Sequence, residues 1–127
     1  MAAVLSTIPG SLSTYVLSDI AADGTIKHDV VPGGGDGVIY TVCIDNTANT
    51  ADCYLKIYDV TSGVTVGTTA PHMQFWAPAG QKIQYNTTLG LTLPTGFSYA
   101  VIARTPGTPG TTNPTSAVKV YVTVDAI

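Results

Sequence analysis

Glutamate does not occur in this chain of 127 residues, and other charged side chains are few. Eight Asp, four Lys and one Arg bring the charged fraction to 10%, against roughly 25% in an ordinary soluble domain. Any carboxylate pair for acid/base chemistry must therefore come from Asp. Four of the eight (Asp23, Asp36, Asp45 and Asp59) stand in or beside turn signals, where Asp is favoured because it bonds its own backbone. The two histidines, His28 and His72, are far apart in sequence, and His28 and Asp29 would point to opposite faces of a strand. No nucleophile elbow or histidine-based zinc motif occurs. Catalysis is not expected, and neither is a cofactor. A calcium site around Asp45 and Asp52 lacks the closely spaced acidic ladder such loops use.

The five cations, Lys27, Lys56, Lys82, Arg104 and Lys119, are scattered, and the net charge is −3. Counterion-release binding to nucleic acid needs clustered Lys and Arg, so no nucleic-acid partner is expected. The chain opens without a basic stretch, its Ala2–Leu5 apolar run is short, and Pro9-Gly10 follows soon after. Neither a leader nor a membrane span is read there, which points to synthesis and retention in a cytosol until assembly. The glycine run at 33–37 lacks the Lys-Ser/Thr ending of a phosphate loop and reads as a flexible loop. Cysteine is limited to Cys43 and Cys53, too few for a zinc site. They flank a turn centred near Ala48. A hairpin there would let them face each other in a disulfide, whereas a cytosolic origin favours two free thiols.

What the chain has in abundance is Thr (20), Gly (13) and Val plus Ile (23), with only seven Leu. β-branched and aromatic residues suit strands, and Gly and Pro recur too often for a long helix. Strands are predicted near 14–21 and 25–31, with Asp23-Gly24 as the turn between them. Val38, Tyr40, Val42 and Ile44 alternate with Ile39, Thr41 and Cys43. Next, Cys53, Leu55 and Ile57 alternate with Tyr54, Lys56 and Tyr58, whose face reads as solvated or interfacial. A short strand near 64–66 precedes one in which Met73 and Phe75 face away from Gln74 and Trp76. Ile83 and Tyr85 face inward on another strand. The alternations Leu89-Leu91-Leu93, Phe97-Tyr99-Val101 and Val118-Val120-Val122-Val124 complete the pattern. Eight to ten short strands at this spacing predict an all-β, antiparallel β-sandwich, either immunoglobulin-like or jelly-roll. One domain is expected, with residues 1–36 as an N-terminal arm plus first strands and 37–127 as the sandwich core.

A domain with a mean hydropathy of +0.29 and few charges has a Thr-, Ser- and Tyr-rich surface that offers little repulsion against association. Much of it is expected to lie against partner chains. Phe75 and Trp76 are the first interface candidates, followed by Tyr54, Tyr58 and Tyr121. The structureless stretch 105–116, rich in Pro, Gly and Thr, reads as a contact arm or as plain disorder.

From about residue 40 onward the chain resembles small bacteriophage virion proteins. The stretches that carry the likeness are DNTANTADCYLKIYD (45–59), VGTTAP (66–71), APAGQ (77–81), LGLTLPTGFSYAVIAR (89–104) and VKVYVTV (118–124). The resemblance implies a head decoration, or cement, protein of the virion. It would bind the major capsid protein or other virion subunits, self-associate as a trimer, and stabilise the head shell. A second reading is a carbohydrate-binding module of a tail or fibre, with Trp76, Tyr54, Tyr58 and Tyr121 as stacking platforms. Sugar is the less expected partner.

Overall fold

The computed structural model describes residues 3–7 and 15–126, and in them the chain is all-β. Eight strands run in chain order: β1 (Ala3–Thr7), β2 (Tyr15–Ala22), β3 (Gly37–Asp45), β4 (Cys53–Tyr58), β5 (Met73–Ala77), β6 (Lys82–Leu93), β7 (Ser98–Ala103) and β8 (Val118–Ala126). They form two antiparallel sheets, β1-β2-β8-β3-β6 and β5-β4-β7. Thr14, where the sequence begins the β2 strand, and residues 8–14 of the opening arm lie outside the described residues.

The inward side chains come from period-two patterns on both sheets. Val118, Val120, Val122 and Val124 of β8 lie in register with Ile44, Val42 and Ile39 on one side and with Ala22, Asp19, Leu17 and Tyr15 on the other. Cys53, Leu55 and Ile57 of β4 face them from the small sheet, beside Val101 and Tyr99, and all but Tyr15 and Asp19 belong to one buried apolar cluster. This is the β-sandwich the alternation predicts.

The pairing also selects the topology. The segment from Asp23 to Val30 is not a strand, as the sequence suggested, but it lies along β7. Lys27 and Tyr99 exchange backbone hydrogen bonds of 2.9 Å, Val30 N donates to Phe97 O at 2.8 Å, and Val101 N donates to Asp23 O at 2.8 Å. Counting this segment after β2, the chain pairs first with last, second with seventh, third with sixth and fourth with fifth. That is a ribbon folded on itself and wrapped into two sheets, the jelly roll, and not an immunoglobulin key. β1 adds an extra edge strand beyond β2. Because β2 sits inside the large sheet, residues 15–22 belong to the sandwich itself.

Several local expectations give way to bulges and turns. In β3 the extra residue Tyr40 stands between Ile39 and Thr41, which pair with consecutive residues of β8. One inserted residue flips the alternation, so Ile39 is buried alongside Val42 and Ile44 rather than opposite them. In β6 four residues, 87–90, are looped out opposite Tyr40. Gly90 there has φ 82°, and a Cβ on it would run into Val38, which explains the glycine. Leu89 lies in this bulge and is 92% exposed, whereas Leu93 is buried. The stretch near 64–66 is a turn, with Thr68 N and Thr69 N both donating to Thr65 O, not a strand.

Candidate functional site

The two outer sheet faces are treated differently by the chain. On the small sheet the outward residues are Tyr54, Lys56 and Tyr58 of β4, flanked by Trp76 and Gln74 of β5 and by Ile102, Ala100 and Ser98 of β7. The long Pro/Gly stretch crosses this face as a strap. Lys56 Nζ donates to Pro109 O (2.8 Å), Gly107 N to Gln74 Oε1 (2.8 Å), Ala103 N to Thr112 O (2.9 Å) and Gly24 N to Asn113 Oδ1 (2.8 Å). Lys56, held by the strap, is buried, and so is Tyr58. This corrects the sequence expectation of a solvated or interfacial Tyr-Lys-Tyr face, and it removes Tyr58 from the interface candidates. Burial pulls the Lys56 ammonium below its ordinary pKa and pushes the Tyr58 phenol above its own. The Tyr58 hydroxyl is buried with no hydrogen-bond partner.

On the large sheet the outward side chains form four rows across the strands. Lys119, Asp45 and Lys82 make one row. Val4, Ser18, Tyr121, Cys43 and Gln84 make the second. Val16, Thr123, Thr41 and Asn86 make the third, and Asp125, Val38 and Thr92 the fourth. The two middle rows carry no charge. Thr41 and Thr123 are tied by a 2.6 Å hydroxyl contact, and Thr41 N donates to Thr123 Oγ1 at 2.9 Å. Among the described residues no segment crosses this face. Tyr121 and Cys43 are part-exposed at its centre, and Val4 (56% exposed) and Ile20 (55%) lie toward one side.

The remaining sequence candidates lie along the β5–β6 side of the sandwich. Phe75 points inward and is partly buried, with its ring 5.1 Å from that of Tyr85. Trp76 points outward, is 49% exposed, and stands in register with part-exposed Tyr54. Its indole Nε1 donates to Asp52 Oδ2 (3.1 Å), and the other oxygen of Asp52 accepts Ala79 N (2.9 Å). The loop under Trp76 is fixed by Asn46, which is fully buried. Its Nδ2 donates to Ala51 O (3.0 Å), Ala77 O (3.0 Å) and Pro78 O (3.2 Å), and its Oδ1 accepts Asn49 Nδ2 (2.9 Å). Asn49 in turn exchanges bonds with Ser116. Sequence reasoning missed this asparagine pair. Its signal was the turn DNTAN itself, which reads as generic turn chemistry until three loops are seen to meet there.

The ionisable groups are otherwise engaged in holding loops. Asp45 accepts from both Thr47 N and Thr47 Oγ1, which hold its carboxyl below the usual range, helped by Lys119 and Lys82. Asp59 accepts Thr95 N and Gly96 N. Buried Asp19 takes the Tyr99 hydroxyl at 2.7 Å, with Lys27 Nζ at 3.8 Å, linking the two sheets. Burial and then the Asp19 carboxylate push the Tyr99 phenol upward. His28 Nε2 accepts Val64 N (3.2 Å). Among the described residues no three His, Cys, Asp or Glu side chains converge. Cys43 and Cys53 are free thiols. They lie in different sheets, Cys43 beside Gln84 and Tyr121 and Cys53 beside Ala77 and Ala103, so the hairpin that would have joined them does not exist. A cleft of about 520 Å³ opens between β1 and the 28–34 turn; its walls are mostly apolar, from Leu5, Leu17, Val30 and Val31. No protein-family model, no characterised protein and no solved structure matches this chain.

Proposed function

We propose that this jelly roll is a structural protein that docks on other proteins through the outer face of its five-stranded sheet, in the role of a virion decoration subunit. The observation that carries the reading is the contrast between the two outer faces. The small sheet is closed over by the chain's own strap, while the large sheet presents rows of Val, Ser, Tyr and Thr with charge only at the two ends. A neutral, hydroxyl-rich face loses little charge solvation when covered, and Tyr is enriched at interface cores. The resemblance of the chain from about residue 40 onward to phage virion proteins implies the major capsid protein or other virion subunits as the partner. On that reading the rigid sandwich bridges neighbouring subunits and resists the pressure of packaged DNA, many weak contacts adding through avidity. The test is immunogold labelling of virions from the phage that carries the gene, with Tyr121→Asp as the comparison. Label on head shells, lost in the variant while its melting transition is unchanged, is the expected result. Virions free of the protein would overturn the reading.

Trp76 favours a second reading. Its half-exposed ring, held by Asp52 and flanked by Tyr54, has the form of a stacking platform for a sugar ring. A glycan array on the purified protein tests this, with Trp76→Ala expected to abolish any signal. A blank array with intact Trp76 rejects it.

A further inference from the structure

On its β1 side the large sheet ends in an unfinished row of the core. The inward residues Val42, Val122, Leu17 and Leu5 stand side by side across β3, β8, β2 and β1. The first three are buried, but Leu5 is 39% exposed and its neighbour Val4 56%. The cause is an overhang. Asp19 of β2 reaches Tyr99 and Lys27 on the small-sheet side, so β2 is covered. β1 stands one strand further out, over the cleft of about 520 Å³ beside the 28–34 turn. Among the described residues nothing pairs with the outer edge of β1. Sheet edges are normally guarded against other chains by charge, proline, a bulge or a cover. The other three edges are guarded in these ways. The 23–30 segment lies along β7, β6 opens on Lys82 and is broken by the loop-out at 87–90, and Pro71 and Pro78 bracket β5. β1 reads Ala-Val-Leu-Ser-Thr and pairs with β2 without a bulge; it has none of these guards.

We infer that β1 pairs edge to edge with β1 of a second copy, antiparallel across a two-fold axis perpendicular to the sheet, so that two large sheets join into one. Directly opposed residues of an antiparallel pair share a face, so inward residues must meet inward residues. That leaves registers centred on residue 4, 5 or 6. Centring on Leu5 pairs the whole strand, 3–7 against 7–3, with about four to six ladder hydrogen bonds. The core row Val42-Val122-Leu17-Leu5 then continues into the same row of the second copy, in reverse order. Leucine against leucine is the pairing β1 already makes in this molecule, where Leu5 stands opposite Leu17. This selects a second copy as the occupant. A strand added here must bring an apolar side chain to the end of the row, and β1 brings its own by symmetry, in a contact that closes on itself. The axis keeps both small sheets on one side of the joined sheet. The two clefts therefore face each other beneath the β1 pair, and each Leu5 meets the other in place of water. Neither strand carries a charge to oppose the approach. The shared edge is only about 17 Å long, so the dimer is weak and reversible. The outer face of the large sheet stays open, so this pairing goes beyond the docking role and does not depend on it.

The experiment joins sedimentation velocity of the full chain, from micromolar to near-millimolar protein, with thiol cross-linking. Wild type is expected to pass from monomer to dimer. Leu5→Lys sets two ammonium groups together at the axis and is expected to weaken association at least about tenfold. Cross-linking uses a short bismaleimide in a Cys43→Ser background, which removes the part-exposed native thiol. Leu5→Cys is expected to give covalent dimer at least about tenfold faster than Ile20→Cys, an exposed site on β2 away from the edge. Melting curves accompany each variant. If Leu5→Lys unfolds, Val4→Lys, at the more exposed position of the same strand, carries the charge test with the same expected loss. A wild type that stays monomeric, a trimer, a Leu5→Cys no faster than Ile20→Cys, or a dimer indifferent to a folded lysine variant overturns the pairing. So does a dimer dispersed by Tyr121→Asp, because the contact would then lie on the outer face. Virion labelling separates the two conclusions. A monomer found on shells overturns only the dimer, and a dimer absent from virions overturns only the decoration role.

Discussion

Replacing Asn46 tests whether buried hydrogen bonds, rather than packing alone, hold the loops beneath Trp76. The side chain is fully buried and meets four groups: the carbonyls of Ala51, Ala77 and Pro78 and the amide of Asn49. Nδ2 has two hydrogens for three carbonyls, so the side chain makes two donated bonds, one of them shared, and one accepted bond. At about 1 kcal/mol each, Asn46→Ala removes about 3 kcal/mol, and stranded carbonyls add to that. Asn46→Asp is the sharper variant. It keeps the shape and replaces the donor by a carboxylate oxygen aimed at three carbonyl oxygens. A buried charge with repulsive neighbours costs several kcal/mol, so Asn46→Asp should be worse than Asn46→Ala at neutral pH. It should recover in part as acid protonates the new carboxyl. Urea unfolding, with the slope unchanged between variants, reads both values. If Asn46→Asp lies within about 0.5 kcal/mol of wild type at neutral pH, the bonding argument is wrong.

Three further outcomes follow from buried ionisable groups. The Cys53 thiol is pushed by burial from 9.0 up to about 11, so the folded state holds a proton that the unfolded state releases. The stability it contributes is complete below pH 9 and lost as pH rises to 11, about 3 kcal/mol by linkage. Urea titrations of wild type and Cys53→Ala over that window should differ in slope with that sign. Lys56 has the opposite sign: its folded pKa lies below 10.5, so its own contribution to stability rises with pH through that interval. Lys56→Met removes a desolvated ammonium worth several kcal/mol against a lost charged bond to Pro109 of about 2 kcal/mol. The variant should therefore unfold at equal or higher urea, while limited proteolysis within 105–116 becomes faster. Tyr58→Phe deletes a buried hydroxyl without a partner and should be neutral or stabilising by about 1 kcal/mol; a clear loss would mean that the hydroxyl is bonded after all.

The strands of this protein are legible where alternation is unbroken. Val118 to Val124, Cys53 to Ile57 and Met73 to Trp76 all have the facing that the sequence assigns. Failures fall at bulges and at long-range contacts. Tyr40 inserts one residue and flips Ile39 inward, and Leu89 continues a perfect alternation yet lies in a loop-out. Neither can be read locally, because a bulge is defined by the partner strand's register. Lys56 looks solvent-facing because nothing in β4 announces that a residue some 50 positions later will bond and cover it. Trp76 and Tyr54, side by side on β5 and β4, and Tyr121, on the outer face of the other sheet, keep their exposure. The cysteines mislead for a related reason: a turn between two strands suggests a hairpin, but here it carries the chain from one sheet to the other.

That crossing is also what gives the molecule its asymmetry. In a folded ribbon the paired strands three and six enter one sheet, and four and five enter the other, so each sheet receives strands from both halves of the chain. The connection between β7 and β8 must pass from the small sheet to the large one. It does so by a detour over the outer face of the small sheet, bonded to Lys56, Gln74 and Gly24. This detour spends twelve residues, 105–116, on covering Ile102, Ala100 and Lys56. Were the large sheet's outer face meant for water, charged side chains would be the usual way to keep it single. Instead its centre is Ser18, Tyr121, Cys43, Val16, Thr123 and Thr41, with no charge among them. Lysine placed at part-exposed Tyr121, in the middle of this face, is therefore the substitution that an autonomous domain would tolerate and a docking surface would not.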